Sequence, residues 1–522
     1  MPQPRWWTFT GRVWHRNCLV RVAGPGAQAR YAGKVPRSPK NPADEAAAFE
    51  ARQRARKAAA DRARQVYAEL LSRTPESHMQ PRLDPVRMLC EMLGDPQRSY
   101  PVVHLTGTNG KTSTARMVER LLREHNLRTG RFTSPHLHVL NERISIDGRP
   151  LSDELLADTW DEVAPLVAMV DGRLAQSGEV AMTYFEVVTV LAFAAFADAP
   201  VDVAVIEVGL GGTWDATNVA DATVAVVLPI SLDHTGVLGD TLEQIAEEKA
   251  GIFTEAGYVV MAQQPVEAAE VLLRRAVETG STIAREGLEF GVTHREVAVG
   301  GQQLSVRGLA GSYDDLVLPL HGEHQAHNLA VALATVEAFV GNGTQRLDPG
   351  IVVASVESIT SPGRLELLRP SPAVVVDAAH NVAGVQALVA ALDEAFGFRH
   401  LIGVVGILQD KDAEALLGVL EPVLDEVVVT RSSSPRAVAT SELAELAREV
   451  FGEERVHEVD RLDDALVLAV NTAEAATDHG AGVLVTGSVT VAAEARLLLG
   501  APAVDGPTAV EERLERYRDD PL

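Results

Sequence analysis

Short apolar runs alternate with helical patterns through most of the chain after residue 100. Eight of these runs are rich in Val and Ile, and we expect them to be strands of parallel sheets covered on both faces. They span residues 101–105, 201–208, 223–228, 258–261, 373–377, 401–405, 426–430 and 482–486. Residues 360–364 contain Pro and Gly and are typical of a linker. The pattern therefore predicts two α/β domains, at residues 65–361 and 362–522.

Residues 1–64 do not follow this alternation. They carry fourteen Lys or Arg against four Asp or Glu, and they include three of the five Trp. We expect a mostly disordered, basic N-terminal extension. Such an arm can bind nucleic acid or a membrane, but a translation start assigned too far upstream explains it at least as well, so we expect no binding role.

Composition narrows the function. A chain of 522 residues, 46% of them hydrophobic, is long enough to bury two cores. The net charge of -25 argues against a general nucleic-acid binder, so we expect small-molecule partners. The longest apolar stretch, residues 190–197, is too short to span a membrane, and no signal peptide is evident. Cys18 and Cys90 cannot build a disulfide framework or a zinc site, which favours the cytoplasm.

A glycine loop follows the first predicted strand. Residues 106–110 lead into a helical pattern that closes near Gly130. Glycines let a backbone approach an anion, and Lys111 adds positive charge at the terminal phosphates, while Thr112 or Ser113 offers a hydroxyl. The spacing departs from the common phosphate-loop motif, because Leu105 stands where that motif has its first glycine. An ordinary turn containing Gly-Lys-Thr is the alternative.

Polar residues end the next strands. Ser134, Glu207 and His234 follow successive apolar runs, and ligands bind at such strand ends in open α/β sheets. The three side chains could converge to hold Mg2+. Imidazole is an uncommon Mg2+ ligand, so a general hydrogen-bonding role for His234 is equally compatible. Taken singly, Ser134 is more often a turn residue and Glu207 a strand-end charge.

Lys249 lies on an apolar stripe. Residues 241–244 resemble a capping box, and on the helix that follows Leu242, Ile245, Lys249 and Ile252 share one face. A lysine in this position usually extends its amine to solvent. The alternative is a buried amine with a lowered pKa, which favours carbamate formation with CO2.

Two weaker signals complete the set. Residues 208–212 form a glycine-rich turn that could be mere close packing. Asp377, His380 and Asn381 close a predicted strand of the second domain at a ligand-binding edge, but alone they are no better than a capped helix start.

The ordered set of motifs resembles the folylpolyglutamate synthase and dihydrofolate synthase family of the Mur ligase superfamily. The resemblance covers roughly residues 66–499 and leaves residues 1–64 outside. The motifs that carry it are GTNGKTS (107–113), TSPHL (133–137), TYFE (183–186), EVGLGGTWDATN (207–218), SLDHTGVLG (231–239), EKAGIF (248–253), HGEHQAHN (321–328), SPGRLE (361–366), DAAHN (377–381) and GILQDKD (406–412).

The resemblance implies a fold and an activity. The fold is a P-loop-containing Mur-ligase-like central ATPase domain followed by a smaller Rossmann-like α/β domain. The activity is an ATP-dependent ligation, in which a pteroate or folate carboxylate becomes an acyl phosphate and then joins the amine of L-glutamate. Bacteria often combine dihydrofolate synthase and folylpolyglutamate synthase activity in one such chain, and we expect both here. The expected cofactors are ATP and two Mg2+ ions, and the expected state is a monomer.

The resemblance also implies roles for individual residues. The ATP-binding residues would be Gly107, Thr108, Asn109, Gly110, Lys111, Thr112, Ser113, Asn328, Arg364 and Asp377. The metal ligands would be Ser134, Glu207, His234 and a carbamylated Lys249. The pterin pocket would be lined by Thr183, Phe185, Asp215, Ala216, Thr217 and Asn218. Lys111, Lys249 and His380 would be catalytic, with His380 near the reacting centre.

Two positions depart from the family pattern, and other functions compete. Thr112 stands where many relatives have Gly, and Thr213 where many have Arg, which removes a cation suited to an anionic substrate. A cell-wall Mur ligase, adding an amino acid to a UDP-muramyl substrate, is the closest alternative. A nucleotide-hydrolysing switch and a basic-arm binding protein rank below it.

Overall fold

The computed structural model describes residues 42–505, apart from residues 77, 79 and 477–479. The chain divides into two units between Ala55 and Arg56, and the fold below is that of the second unit. Helix α1 (Pro42–Leu71) corrects one prediction, because residues 42–64 are helical and not disordered. Ala63, Val66 and Leu70 recur at helical spacing and are buried in the core, which explains why the last turns of α1 are ordered. The remainder of the predicted extension lies outside the described residues.

An eight-stranded sheet forms the centre of the first domain. Its strands are β1 (Val102–Thr106), β2 (Thr129–Phe132), β3 (Ile144–Ile146), β4 (Arg149–Pro150), β5 (Val203–Glu207), β6 (Ala222–Val227), β7 (Tyr258–Met261) and β8 (Thr282–Arg285). The order is β4-β3-β2-β5-β1-β6-β7-β8. The six strands from β2 to β8 in this order pair in parallel, and β3 and β4 add an antiparallel edge. Strand β1 therefore lies in the middle, and its loop opens at the sheet's carboxyl edge.

Helices cover both faces of this sheet. They are α2 (Asp84–Met92), α3 (Lys111–Glu124), α4 (Asp153–Ser177), α5 (Tyr184–Asp198), α6 (Thr235–Leu238), α7 (Leu242–Lys249), α8 (Val266–Thr279), α9 (Glu323–Gly341) and α10 (Pro349–Glu357). One core lies under α3, α9 and α10 and another under α2, α4 and α5. A separate antiparallel sheet, which the sequence did not predict, consists of β9 (Gly291–Ala298), β10 (Gly301–Arg307) and β11 (Ser312–Leu318).

The second domain is a smaller six-stranded α/β sheet. Its strands are β12 (Glu366–Pro370), β13 (Ala373–Val376), β14 (His400–Val405), β15 (Glu426–Arg431), β16 (Val456–Arg461) and β17 (Ala481–Thr486), in the order β12-β13-β17-β14-β15-β16. Only β12 pairs antiparallel. The helices are α11 (Val382–Ala395), α12 (Ala413–Leu420), α13 (Thr440–Phe451), α14 (Leu462–Ala475) and α15 (Val489–Leu498).

The eight predicted strands are all present, and the α/β fold class is confirmed. Two helix ends differ from expectation. Helix α3 ends at Glu124, before Gly130, because β2 already begins at Thr129. Helix α7 starts as predicted, with the Thr241 hydroxyl accepting from the Gln244 amide, but it ends at Lys249 in a 3-10 turn, Ala250–Ile252. Across the described part of the chain, no helix has the length and apolar content to cross a membrane.

Candidate active site

A cavity of about 420 Å³ opens where the carboxyl edge of the large sheet meets the second domain. Its walls are the loops after β1, β2, β5 and β6, the start of α9, and residues 364–365 and 377–388 of the second domain. Ligand sites of open α/β sheets lie at this edge. Both domains therefore contribute to one cavity.

The loop after β1 needs glycine at two positions. Gly107 has φ +143° and Gly110 has φ +86°, values that other residues rarely adopt. A Cβ at Gly107 would lie 2.7 Å from the Leu228 Cβ, and one at Gly110 would lie 2.7 Å from the Asn328 Oδ1. Gly110 immediately precedes α3, so the first amides of that helix face the cavity edge.

Two lysines share one carbonyl oxygen of this loop. Lys111 Nζ and Lys249 Nζ each donate to Gly107 O at 2.9 Å, and Lys111 also donates to Thr108 O at 3.0 Å. Lys249 is only 3% exposed. Burial, reinforced by the Lys111 charge, lowers the pKa of Lys249 to about 7. Of the two possibilities that the sequence left open for Lys249, an amine that reaches solvent is wrong, and a buried amine is confirmed.

Glu207 is the buried carboxylate of this wall. Thr112 Oγ1 donates to both of its oxygens at 3.0 Å, and the Ser134 amide donates to Oε2 at 3.2 Å. Burial raises the pKa of Glu207, while Lys111 opposes the rise. A buried carboxylate beside a hydroxyl is a hard oxygen pair, which suits a hard cation.

The proposed metal ligands Ser134, Glu207 and His234 all line the cavity, as does Lys249. Among the described residues no three His, Cys, Asp or Glu side chains are grouped to hold a metal. An all-protein cage is not what Mg2+ requires, because this ion usually takes one or two carboxylates and completes its shell with phosphate oxygens and water. The donor set around Glu207 fits Mg2+ in that mode.

The second domain supplies the opposite wall. Asp377 accepts the amides of Leu365 at 2.8 Å and Ala379 at 2.7 Å, and burial raises its pKa against the opposing charge of Arg364. His380 Nδ1 lies 2.9 Å from Ala378 O, so this nitrogen carries the proton. Burial and the nearby Lys411 lower the pKa of His380 to about 4. His380 is thus neutral near pH 7, and Nε2 is the ring nitrogen that carries a lone pair.

Polar contacts across the cleft join the two domains. The amides of Asn109 and Asn381 pair reciprocally at 3.1 and 3.0 Å, and Asn381 Nδ2 also donates to Asp233 Oδ2 at 2.9 Å. Lys411 Nζ donates to Asp233 Oδ1 at 2.6 Å. Sequence reasoning missed Lys411 and gave Asp233 no role. Both stand in quoted motifs, and a lysine just after a buried strand was the available signal.

The start of α9 forms a histidine-rich wall of the cavity, of which the sequence analysis had assigned only Asn328. His324, Gln325 and His327 line the cavity with Asn328 at the start of α9. His327 Nδ1 lies 2.5 Å from the Glu286 carboxylate, and this hydrogen bond raises the pKa of His327. The repeated His and the Asn in residues 321–328 were the signal.

The predicted pterin residues lie outside the lining of the cavity. Thr183 caps α5 by accepting the Glu186 amide, and Phe185 packs against Gly209, whose added Cβ would lie 2.4 Å from the ring. Asp215 accepts the Leu210 amide at 2.9 Å and the Thr217 amide at 3.0 Å. The rest are also engaged locally: Ala216 is buried, Thr217 bonds to His104, and Asn218 donates to the carbonyls of Thr213 and Gly251.

Models of two protein families match the chain. The Mur ligase middle domain matches residues 105–336, and the Mur ligase glutamate ligase domain matches residues 363–489. Together they cover both walls of the cavity.

Curated relatives match most of the chain. A dihydrofolate synthase/folylpolyglutamate synthase of Mycobacterium tuberculosis is 50% identical over 455 residues, which cover 84% of this chain and 93% of the relative. A folylpolyglutamate synthase of Lacticaseibacillus casei is 33% identical, over 79% of this chain and 92% of the relative.

Solved structures agree. The M. tuberculosis folylpolyglutamate synthase complexed with ADP superposes with a TM-score of 0.81 at 49% identity, covering 85% of this chain and 99% of that one. Escherichia coli FolC in complex with DHPP and ADP superposes with a TM-score of 0.70 at 29% identity, covering 81% and 94%. The chain therefore belongs to the folylpolyglutamate synthase and dihydrofolate synthase family of the Mur ligase superfamily, and it is a carbon–nitrogen ligase.

Proposed function

We propose that this chain uses the cavity to join L-glutamate to a pteroate and to a reduced folate, and so carries both activities of its family. The observation that carries this is the pairing of a phosphate loop contacted by two lysines with a neutral histidine, supplied by different domains across one cavity. Since one chain supplies both walls, we propose that a monomer is active.

ATP lies with its phosphates over residues 107–113. The glycine conformations and the helix start suit an anion, and Lys111 supplies a cation next to it. Asn328 reaches the loop from α9, while Arg364 and Asp377 hold the nucleotide from the second domain. The ADP in the M. tuberculosis and E. coli structures supports this assignment.

Ser134, Glu207 and His234 would hold Mg2+, since all three line the cavity beside the phosphate loop. Such an ion would supply neutralisation of phosphate charge. Thr112 contributes by its hydroxyl, which already orients the Glu207 carboxylate at 3.0 Å.

Lys249 would be carbamylated and would contribute to a second metal position. The ammonium first loses one proton, and the neutral amine then adds CO2: an N–C bond forms, one C–O π bond of CO2 opens to the carboxylate, and the nitrogen loses a second proton. A buried cation thereby becomes an anion. The pKa of about 7 leaves a substantial neutral fraction for this step. Lys249 is buried against the phosphate loop, where its amine donates to Gly107 O. A protonated amine there would repel a metal ion, whereas the carbamate would attract one.

The reaction has two steps. The substrate carboxylate attacks the γ-phosphorus, and the bond to the β,γ-bridging oxygen breaks. ADP departs, and the substrate is now an acyl phosphate. The amine of glutamate then attacks the acyl carbon, passes a proton to His380 Nε2, and expels phosphate. Lys111 balances charge in both steps.

The pterin ring binds behind Gly209. Phe185 packs against Gly209, and Asp215 accepts the amide of the adjacent Leu210 at 2.9 Å, so two of the predicted pterin residues lie at this turn. Thr183, Ala216, Thr217 and Asn218 are assigned to the same pocket. The DHPP in the E. coli structure supports a pterin substrate.

Purified protein with MgATP and L-glutamate tests the proposal. We expect phosphate release and a glutamylated product with dihydropteroate and, separately, with a reduced folate, and none without the pterin. A UDP-muramyl acceptor in parallel tests the cell-wall alternative. Pterin-independent phosphate release without a glutamylated product would refute the folate assignment, and product from only one pterin would refute bifunctionality.

A further inference from the structure

The chain beyond α15 returns to the first domain. Arg496, at the end of α15, pairs with Glu366 of β12 and donates to Pro502 O at 2.9 Å. Val504 is buried at 7% exposure. Residues 499–505, which we call the C-terminal strap, are thereby fixed to the second domain, outside the segments that the family models match.

Asp505, in this strap, enters a buried ion cluster of the first domain. Its carboxylate accepts from Arg116 at 2.8 Å and from Arg131 at 2.7 Å, and Arg131 pairs with Glu119 at 2.8 Å. The four side chains are between 3% and 10% exposed. Two cations and two carboxylates balance in this cluster, so the loss of Asp505 leaves one buried positive charge uncompensated.

Arg116 connects the cluster to the phosphate loop. It lies in the second turn of α3, the helix that Lys111 begins. Its Nε donates to Thr360 O at 2.8 Å in the linker between the domains, and one turn earlier the hydroxyls of Ser113 and Ser361 lie 2.9 Å apart. Helix α3, the linker and the strap therefore meet at one side chain.

We propose that Asp505 is a positioning residue that holds the second domain against α3, so that Arg364 and His380 stay opposite Lys111 across the cavity. This role rests on the proposed function. Burial would raise the pKa of Asp505, but Arg116 and Arg131 hold it well below its usual range, so the contact is ionic throughout the working pH range.

The full-length protein tests this with Asp505→Asn and with Asp505→Glu as the conservative variant. The control Glu474→Gln removes a carboxylate from an exposed pair with Arg369 in the same domain. We expect Asp505→Asn to lower kcat about tenfold to hundredfold, as small misplacements of reacting groups do. Nucleotide affinity should fall by a smaller factor, because the phosphate loop of the first domain keeps its contacts while Arg364 and Asp377 of the second domain are displaced. Asp505→Glu should recover much of the loss, and the control should match the wild type.

An interdomain distance gives a readout that does not depend on activity. Spin labels at V277C in α8 and V467C in α14, both exposed, with Cys18 replaced by Ser, report the separation of the domains. We expect one narrow distance in the wild type and a broadened one in Asp505→Asn. Pterin-dependent activity of the unlabelled wild type tests the proposed function separately.

The double variant Arg116→Gln/Asp505→Asn separates positioning from folding. It leaves the Arg131–Glu119 pair and a balanced charge, so we expect a normal thermal midpoint together with the broadened distance and low kcat. Wild-type distance and kcat in either variant would overturn the proposal. Failure of both to fold would assign the cluster to folding and equally reject it.

Discussion

Lys411 of the second domain and Asp233 of the first form a buried ion pair across the cleft, with Nζ 2.6 Å from Oδ1 and both side chains at most 10% exposed. Asp233 precedes His234, a proposed metal ligand. The pair therefore connects the position of the second domain to the proposed metal site.

We expect Lys411→Met to destabilise the protein by about 3–5 kcal/mol, because it leaves the Asp233 carboxylate buried without its cation. The kcat of this variant should also fall, because the pair connects the second domain to the proposed metal site. Thermal unfolding and steady-state kinetics measure both. The control Arg436→Met breaks an exposed pair with Asp410 and should change neither. The double variant Asp233→Asn/Lys411→Met should regain stability, and an unchanged midpoint in Lys411→Met would contradict the argument.

Lys111→Ala should lower kcat by about 10²–10³-fold or more, because it removes a cation from charge that develops on phosphate in both steps. Phosphate release and product formation, measured together, check this. Lys57→Ala is the matched control, since Lys57 is an exposed lysine of α1. Near wild-type turnover in Lys111→Ala would refute the role assigned to the loop.

Activity should depend on CO2 through Lys249. Because its pKa is about 7, the amine is mostly protonated below pH 7 and mostly neutral above it. Removal of CO2 should therefore lower activity, and bicarbonate should restore it more completely at pH 8 than at pH 6. Native mass spectrometry should find one added CO2. Lys249→Arg keeps the cation, cannot form the carbamate and should be inactive. Full activity that does not depend on CO2, in a protein whose Lys249 is unmodified, would exclude the carbamate.

The pair of His327 and Glu286 should make stability depend on pH. The pKa of His327 is raised in the folded state, so its contribution is fully present below the unfolded value of about 6.5. It is lost as pH rises through the folded value. The free energy of unfolding of the wild type should exceed that of His327→Gln at pH 6 by roughly 0.5–1 kcal/mol, and the difference should vanish by pH 9. His294→Gln, at an exposed histidine, serves as the control. A pH-independent difference would contradict this.

The parallel strands were predictable because burial on both faces leaves continuous Val and Ile runs, as in residues 373–376 and 426–429. The three-stranded sheet was missed because its two outer strands are largely exposed: β9 places only its first residue in the core, and β11 buries three of its seven. Helix α1 was missed because its polar, Arg-rich sequence hides a narrow stripe, Ala63, Val66 and Leu70.

The site was predictable in part. Glu207, at the end of a strand, and Lys249, on the apolar face of a helix, carried a local signal in burial pattern and spacing. Lys411 and Asp233 stand in quoted motifs, but their pairing was not predictable, because a lysine 178 residues from its partner forms a buried pair only when two domains meet. Asp505 lies still further from Arg116, by 389 residues, and no local pattern marks it.

The carbonyl oxygen of Gly107 accepts from Lys111 and Lys249 at the same distance, 2.9 Å. Two donors on one acceptor cannot be altered independently, since removing one frees the oxygen for the other. Substitutions at the two positions will therefore show epistasis. A double-mutant cycle will give a coupling energy different from zero, because the effects of the two single substitutions will not add up to that of the double variant. Variation at either lysine in related sequences is best interpreted together with the other.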